Sequence, residues 1–168
     1  LSAVPVLASS PAGQAPLSSA ANQAQAGGVH QVTLITGDVV RVTISDNGTK
    51  SFAITPADPG KQGQRFLTVE QNGDTYIYPD GTDLQKLDME LFNIDYLVDE
   101  QYYQQPSLPV LLSYSPGLPA FQVQSLTGDV KALGAETELH QEVGAISTEL
   151  AYQGIAPAYE TLQSQPQI

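Results

Sequence analysis

The sequence predicts an α+β fold, in which an antiparallel β-meander of hairpins precedes helical segments. Three observations predict it. Apolar and polar residues alternate from Val29 onward, pairs rich in Gly and Asn interrupt that alternation, and two stretches place apolar residues at helical spacing. The chain has 168 residues, of which 41% are hydrophobic, and this is enough for one domain with a buried core.

The first 28 residues differ in composition from the rest. They are rich in Ala, Ser, Pro, Gln and Gly, and no charged side chain precedes Asp38. Such a segment is typical of a disordered low-complexity tail, and its apolar start also resembles the remnant of a processed signal peptide. Both interpretations favour a secreted or cell-envelope location. We therefore divide the chain into a tail, residues 1–28, and one folded domain, residues 29–168.

Turn residues locate the hairpins of the meander. Gly37-Asp38 is expected to join the first two strands, and Asn47-Gly48 the second and third. Asn-Gly favours a type I′ turn, which would return Phe52 and Ile54 beside the second strand, at Val42 and Ile44. A second Asn-Gly pair, at residues 72–73, predicts a further hairpin, for about five short strands in all.

Helical spacing appears in two places. Thr82 and Gln85 have the spacing of a capping box, and Leu84, Leu87 and Leu91 form one stripe, so a short helix is expected near residues 82–91. A longer amphipathic helix is expected near residues 136–153, from the stripe Leu139, Val143, Ile146 and Leu150. We interpret residues 92–98 and 121–124 as strands because apolar and polar positions alternate there. We interpret residues 108–114 as a strand because prolines bound an apolar run.

Charge and composition exclude several classes of function. Lys and Arg number 6 against 18 Asp and Glu, for a net charge of −12, and the six cations are scattered. Nucleic-acid binding through phosphate neutralisation is therefore not expected. A span of about 18 apolar residues, which a membrane helix needs, does not occur in the sequence. Without cysteine, the chain can form neither a disulfide nor a thiolate site.

The residues that could carry catalysis or bind metal are few. His30 and His140 are the two histidines of the chain, and we interpret both as structural or solvated. Asp80, Asp83 and Asp88 lack the alternating oxygen ligands of an EF-hand loop. Serine-hydrolase elbow and zinc-helix motifs do not occur in the sequence either. We therefore predict no catalytic residue, no cofactor and no metal site, and thus no enzyme.

Other matches have simpler interpretations. Asn47-Gly48-Thr49 fits a glycosylation sequon, but the same residues are those that a tight turn requires. Glu138 and Glu142 are four residues apart, which on a helix is a spacing of like charges on a solvated face more than a paired acid and base.

Four segments in order carry a resemblance to a known family. They are VTLITGDVV at 32–40, NGDTYIYPDG at 72–81, LDMELFNIDYLV at 87–98 and LPVLLSY at 108–114. Together they resemble the N-terminal prodomain region of the large secreted subtilisin-family serine peptidases of bacteria. The sequence Leu91-Phe92-Asn93 followed by an apolar stretch carries most weight. Residues 101–105, QYYQQ, depart from the acidic stretch usual there.

The resemblance implies a non-catalytic propeptide-like domain that assists folding of a subtilisin-like catalytic domain, its partner, and blocks the cleft. The Asp, His and Ser motifs of such a catalytic domain do not occur in this sequence. An extended C-terminal segment is expected to lie in the protease cleft as an added strand. Its residues are Tyr159, Glu160, Thr161, Leu162, Gln163, Ser164, Gln165, Pro166, Gln167 and Ile168.

An alternative class is also open from the sequence. A secreted or cell-envelope adhesion or carbohydrate-binding β-module would use tyrosines as its contact surface. Tyr76 and Tyr78, on one face of a hairpin, are the candidates, although a half-buried aromatic pair has the same spacing and is favoured over a contact surface.

Overall fold

A computed structural model describes residues 28–60, 63–166 and 168, and it confirms the α+β class. The predicted tail lies outside the described residues, apart from Gly28, which begins the first strand. The strands form three antiparallel sheets of three, two and three strands.

The first sheet contains β1 (Gly28–Thr33), β2 (Val39–Ile44) and β3 (Lys50–Thr55), in that order. Both predicted hairpins are confirmed, and Phe52 faces Val42 as expected. Ile54 faces Val40, so its expected place beside Ile44 was wrong. At the turn, Gly48 has a positive φ of 80° and its N–H donates to the Ser45 carbonyl oxygen at 2.8 Å. The loop is therefore one residue longer than a type I′ turn, which shifts the register.

The second sheet pairs β4 (Phe66–Gln71) with β5 (Asp74–Pro79). Here both turn residues have positive φ, 56° at Asn72 and 97° at Gly73. This is the backbone of the predicted type I′ turn.

The segment after β5 corrects two predictions. The helix expected near residues 82–91 is a turn followed by a short 3₁₀ helix, Met89–Phe92, and the strand expected at 92–98 is α1 (Ile94–Asp99). Side-chain caps explain why helices start here. Asp88 accepts a hydrogen bond from the N–H of Glu90, and Asn93 accepts one from the N–H of Tyr96. Each side chain satisfies an N–H that a helix start leaves unpaired, so the helices begin at these residues.

The third sheet contains β6 (Ser107–Ser113), β7 (Ala135–His140) and β8 (Ala145–Ala151), in the order β6-β8-β7. Helix α2 (Ala120–Leu133) joins β6 to β7, and α3 (Ile155–Gln163) follows β8. The predicted strand at 108–114 is confirmed by β6.

Two predictions in this region were wrong. The helix expected near residues 136–153 is the β7–β8 hairpin, and the strand expected at 121–124 belongs to α2. Val143, counted in the helical stripe, is 71% exposed in the turn, and Gly144 beside it has a φ of 67°. In β8 the buried residues alternate, as Ile146, Thr148 and Leu150 do. Buried residues of β8 therefore repeat at every second position, as in a strand. The apparent helical spacing arose because residues of two strands were counted as one helix.

One hydrophobic cluster joins the three sheets and the helices. It extends along the chain from Val32 to Leu162, and Phe92, Ile94 and Ile146 are fully buried in it. Among the described helices, none is long and apolar enough to cross a bilayer.

Candidate functional site

The third sheet has one covered and one uncovered face. On β6, Leu108, Val110 and Leu112 are buried and belong to the cluster that also contains the buried residues of α2 and α3. Cross-strand partners point to the same face, so Pro109 and Leu111 share the other face with Glu149 and Ser147. We call this second face, formed by Ser107, Pro109, Leu111, Ser113, Glu138, His140, Ser147 and Glu149, the outer face.

The outer face is open along β6. Pro109, Leu111 and Ser113 are exposed, and Leu111 presents 64% of its surface. No charged residue occurs between Glu100 and Asp129 in the sequence, so β6 and its flanking loops are neutral in an otherwise acidic chain. Leu111 and the neighbouring Pro109 therefore give the outer face an exposed, uncharged apolar strip along β6.

Hydrogen bonds fix the polar side chains of the outer face. The Ser107 hydroxyl donates to Glu149 Oε2 at 2.7 Å, and His140 Nε2 lies 2.9 Å from Ser147 Oγ. His140 therefore lies at the end of β7, beside β8, and not on the helix predicted for it.

His30 has a packing role as well. Its ring contacts Tyr103 edge-on, with the ring centroids 4.8 Å apart. The two histidines therefore lie in separate contacts, one on the first sheet and one on the third.

A groove follows the edge of β6 that β8 does not cover. Its volume is about 480 Å³. β6 forms one wall, Leu87 and Leu91 lie on the opposite wall, and Tyr159 and Leu162 of α3 complete the lining together with Ile168. The lining is mainly apolar, and the charged residues in it are Lys86, Asp88 and Glu90. We call this cavity the β6 groove.

The predicted cleft segment is not extended where the structure describes it. Its first five residues are the last turns of α3, with Leu162 buried and Tyr159 half-buried. The reason is a helical stripe, Ile155, Ala158 and Leu162, which the sequence analysis did not use. Gln167 lies outside the described residues, and Ile168 lines the β6 groove. Contact of this segment with a protease stays a prediction.

Asn93 of the Leu91-Phe92-Asn93 motif is the centre of a polar cluster beneath α1. It is 2% exposed, and its Oδ1 accepts the N–H of Tyr96 at 3.0 Å. Its Nδ2 donates to Glu90 Oε2 at 2.9 Å and to Asp74 Oδ2 at 3.1 Å. The Tyr76 hydroxyl donates to Glu90 Oε1, and this hydrogen bond raises the pKa of Tyr76. The motif therefore ties β5 to the start of α1.

A second buried carboxylate supports the same junction. Asp95 accepts a hydrogen bond from the backbone N–H of Thr75 at 2.7 Å and forms an ion pair with Lys50 on β3. The helix α1 is thereby joined to the first and second sheets. This explains why residues that carry the family resemblance are buried polar residues with a structural role.

Two of the acidic residues considered as metal ligands, Asp83 and Asp88, make local hydrogen bonds. Asp83 accepts the N–H of Gln85, and Asp88 accepts that of Glu90, so both close local turns. Within residues 28–60, 63–166 and 168, no group of three or more acidic or histidine side chains is placed to hold a metal ion.

Burial raises the pKa of Tyr152 to about 12 from an ordinary value of 10.0, and its hydroxyl donates to the Tyr102 carbonyl oxygen at 3.3 Å. Because folding favours the neutral phenol, this contribution to stability is present below pH 10 and is lost as the pH rises to about 12. We expect the urea midpoint of the wild-type protein to fall over that range, and that of Tyr152→Phe to fall less steeply. Equal slopes for the two proteins would contradict the assignment.

No family model, curated protein sequence or solved structure matches this chain in the comparisons made. The features of the chain that bear on its function are therefore the outer face, the β6 groove and the motif resemblance.

Proposed function

We propose that this chain is a non-catalytic propeptide-like domain of a secreted subtilisin-like serine peptidase, which assists folding of the catalytic domain and inhibits it. The observation that carries the proposal is the outer face of the third sheet, an uncovered sheet surface whose β6 strip is uncharged and exposes Leu111, on a domain that has its own core. Such a face offers a preformed template on which another domain can bury apolar surface.

The chemistry of the outer face suits this role. Binding of the catalytic domain would bury Leu111 and Pro109 of the edge strand β6. Ser147 and Glu149 of the central strand β8, their cross-strand partners, would supply polar groups beside them. The net charge of −12 would accelerate association with a basic surface on the peptidase.

The resemblance supports the same proposal through the Leu91-Phe92-Asn93 motif. Phe92 is fully buried and Asn93 holds the polar cluster under α1, so the motif has a physical reason to recur in domains of this shape. Secretion or attachment to the cell envelope belongs to the proposal, because peptidases of this kind act outside the cell.

Nothing described favours the alternative of an adhesion or carbohydrate-binding module. Tyr76 and Tyr78, its candidate contact residues, are 5% and 9% exposed. Both side chains are more buried than the half-buried pair that their spacing indicated, which leaves little of either ring to stack on a sugar.

Inhibition in trans tests the proposal. We expect the purified chain to give slow, tight and finally transient inhibition of a purified secreted subtilisin-family peptidase, followed with a fluorogenic peptide substrate. Leu111→Glu should weaken inhibition by about tenfold or more, because it places a charge at the centre of an apolar contact. The matched control is Val143→Glu, which changes an equally exposed apolar residue in the β7–β8 turn.

Two outcomes would count against the proposal. Absence of inhibition by the intact chain against a panel of such peptidases would overturn it. Equal weakening by Leu111→Glu and Val143→Glu would show that general charge, not the outer face, governs the contact. Raising the salt concentration should slow association more than it speeds dissociation, since screening acts mainly on the long-range attraction.

A further inference from the structure

The strand β6 has one edge with free backbone hydrogen-bonding groups. In the sheet order β6-β8-β7 it is an outer strand, and among the described residues no strand pairs with its second side. An edge of this kind is a template for an additional strand.

The pairing with β8 shows which residues of β6 face the free side. The Tyr114 N–H donates to the Gly144 carbonyl oxygen, and the Tyr152 N–H donates to the Pro106 carbonyl oxygen. Residues 106 and 114 therefore point their backbone groups toward the β8 side, and in an antiparallel ladder alternate residues do the same. The odd-numbered residues of β6, which include Pro109, Leu111 and Ser113, point their backbone groups away from β8.

Proline at 109 fits this geometry. It has no N–H to donate, so it leaves the ladder with β8 intact when its backbone faces the free side. The groups left for a new partner are the N–H and C=O of Ser107, Leu111 and Ser113 and the C=O of Pro109. A partner strand can therefore pair fully only with the second half of β6.

The topology gives the direction of that partner. Strands β6 and β7 are both antiparallel to β8, so they are parallel to each other, and α2 connects them around β8 in a split β-α-β unit. Every pairing in this sheet is antiparallel, because β8 pairs in this way with both of its neighbours. A partner strand that runs antiparallel to β6 continues this pattern.

The β6 groove gives the chemistry of the partner. Alternate side chains of a strand at this edge would enter the apolar space between β6, Leu91 and Leu162. Two of the three charged lining residues are acidic, and the chain has a net charge of −12. Apolar residues at every second position and basic residues at the ends are thus complementary to the groove.

We propose that the β6 groove binds an extended peptide segment of another polypeptide, antiparallel to β6, with alternating apolar residues and basic ends. The segment hydrogen-bonds the backbone of Leu111 and Ser113. A second copy of this chain is a poorer occupant, because its own β6 is neutral and the two molecules carry like net charge. The inference uses the edge of β6 and the groove, whereas the proposed function uses the outer face, and Leu111 belongs to both. Peptide binding without peptidase inhibition, or inhibition without peptide binding, distinguishes the two proposals.

The test uses the synthetic peptide acetyl-Lys-Val-Thr-Val-Thr-Val-Lys-amide and the whole chain. We expect binding to protect the amide hydrogens of Leu111 and Ser113 from exchange, measured by NMR, while those of Val110 and Leu112 change little because they already pair with β8. A peptide with N-methylated central valine should bind about tenfold more weakly, since one backbone hydrogen bond is lost. A peptide with glutamate in place of both lysines should also bind more weakly at low salt.

A protein variant provides a second arm. Leu111→Pro removes the free N–H and should reduce affinity for the peptide by about tenfold. Val143→Ala, in the β7–β8 turn and outside the groove, should bind like the wild type. If Leu111→Pro does not fold, the N-methylated peptide decides the question with wild-type protein.

Three results would overturn the proposal. They are no protection of Leu111 and Ser113 by the peptide, equal binding of the N-methylated peptide, and concentration-dependent dimers in sedimentation that protect the same amides without peptide. The last result would assign the edge to a second copy of the chain.

Discussion

Asn93→Ala is expected to lower the free energy of unfolding by about 2 to 3 kcal/mol, since it removes a helix cap and several buried hydrogen bonds together. The Tyr96 N–H loses its acceptor, and the side chains of Asp74 and Glu90 lose a shared donor. Urea denaturation followed by circular dichroism measures the change.

Asn47→Ala is the matched control. Asn47 Oδ1 also accepts a backbone N–H, that of Thr49 at 3.0 Å, but in an exposed turn where water can replace the bond. A loss below about 1 kcal/mol is expected for it. Similar losses of stability in the two variants would show that the hydrogen bonds from Asn93 to Asp74 and Glu90 add nothing to its cap on α1.

The hairpins of the first two sheets were predictable because their signals are local. Alternation along β2 and a turn residue such as Gly73 are both contained within a few neighbouring positions. The register of β3 was less accessible, because it depends on whether one or both residues of the Asn47-Gly48 pair adopt positive φ, and Asn-Gly permits either.

The third sheet shows why the remaining elements were misassigned. The β7–β8 hairpin has no Asn-Gly pair, and Gly144 stands inside a run whose apolar residues fit a helix by chance. In α1, the buried residues Ile94, Leu97 and Val98 have helical spacing, but polar alternation over the same residues suggested a strand. Tertiary burial decided between the two periods, and burial cannot be read from a short segment.

The candidate surface was predictable only in part. Pro109 within an apolar strand is a sequence signal for an edge that the sequence analysis did not use, and β6 is an outer strand of the third sheet. The pairing of β6 with β8 instead of a sequence neighbour is a non-local choice that had no local signal. The C-terminal residues did carry a local signal, the helical stripe Ile155, Ala158 and Leu162, and they were assigned to an extended segment because it was not used.

Gly134→Ala is expected to destabilise the protein by about 2 to 3 kcal/mol, as overpacking in a closed site does. A Cβ at Gly134 would lie 2.8 Å from the Glu149 carbonyl oxygen and would overlap Thr148 Oγ1. That hydroxyl donates to the Ala135 carbonyl oxygen at 3.0 Å, so moving it also disturbs the start of β7. The backbone at Gly134 is extended, with φ of −133°, so steric overlap alone is responsible for the loss. The measurement is the midpoint and slope of urea denaturation.

Gly128→Ala, in the helix that Gly134 follows, provides a control with the opposite sign. Gly128 lies inside α2, and a Cβ there meets no atom within 4 Å. Alanine loses less conformational entropy than glycine when a helix forms, so a gain of about 0.5 to 1 kcal/mol is expected. The pair separates contact with β8 from general effects of alanine. A loss of stability in Gly128→Ala, or none in Gly134→Ala, would mean that α2 does not meet the third sheet as described.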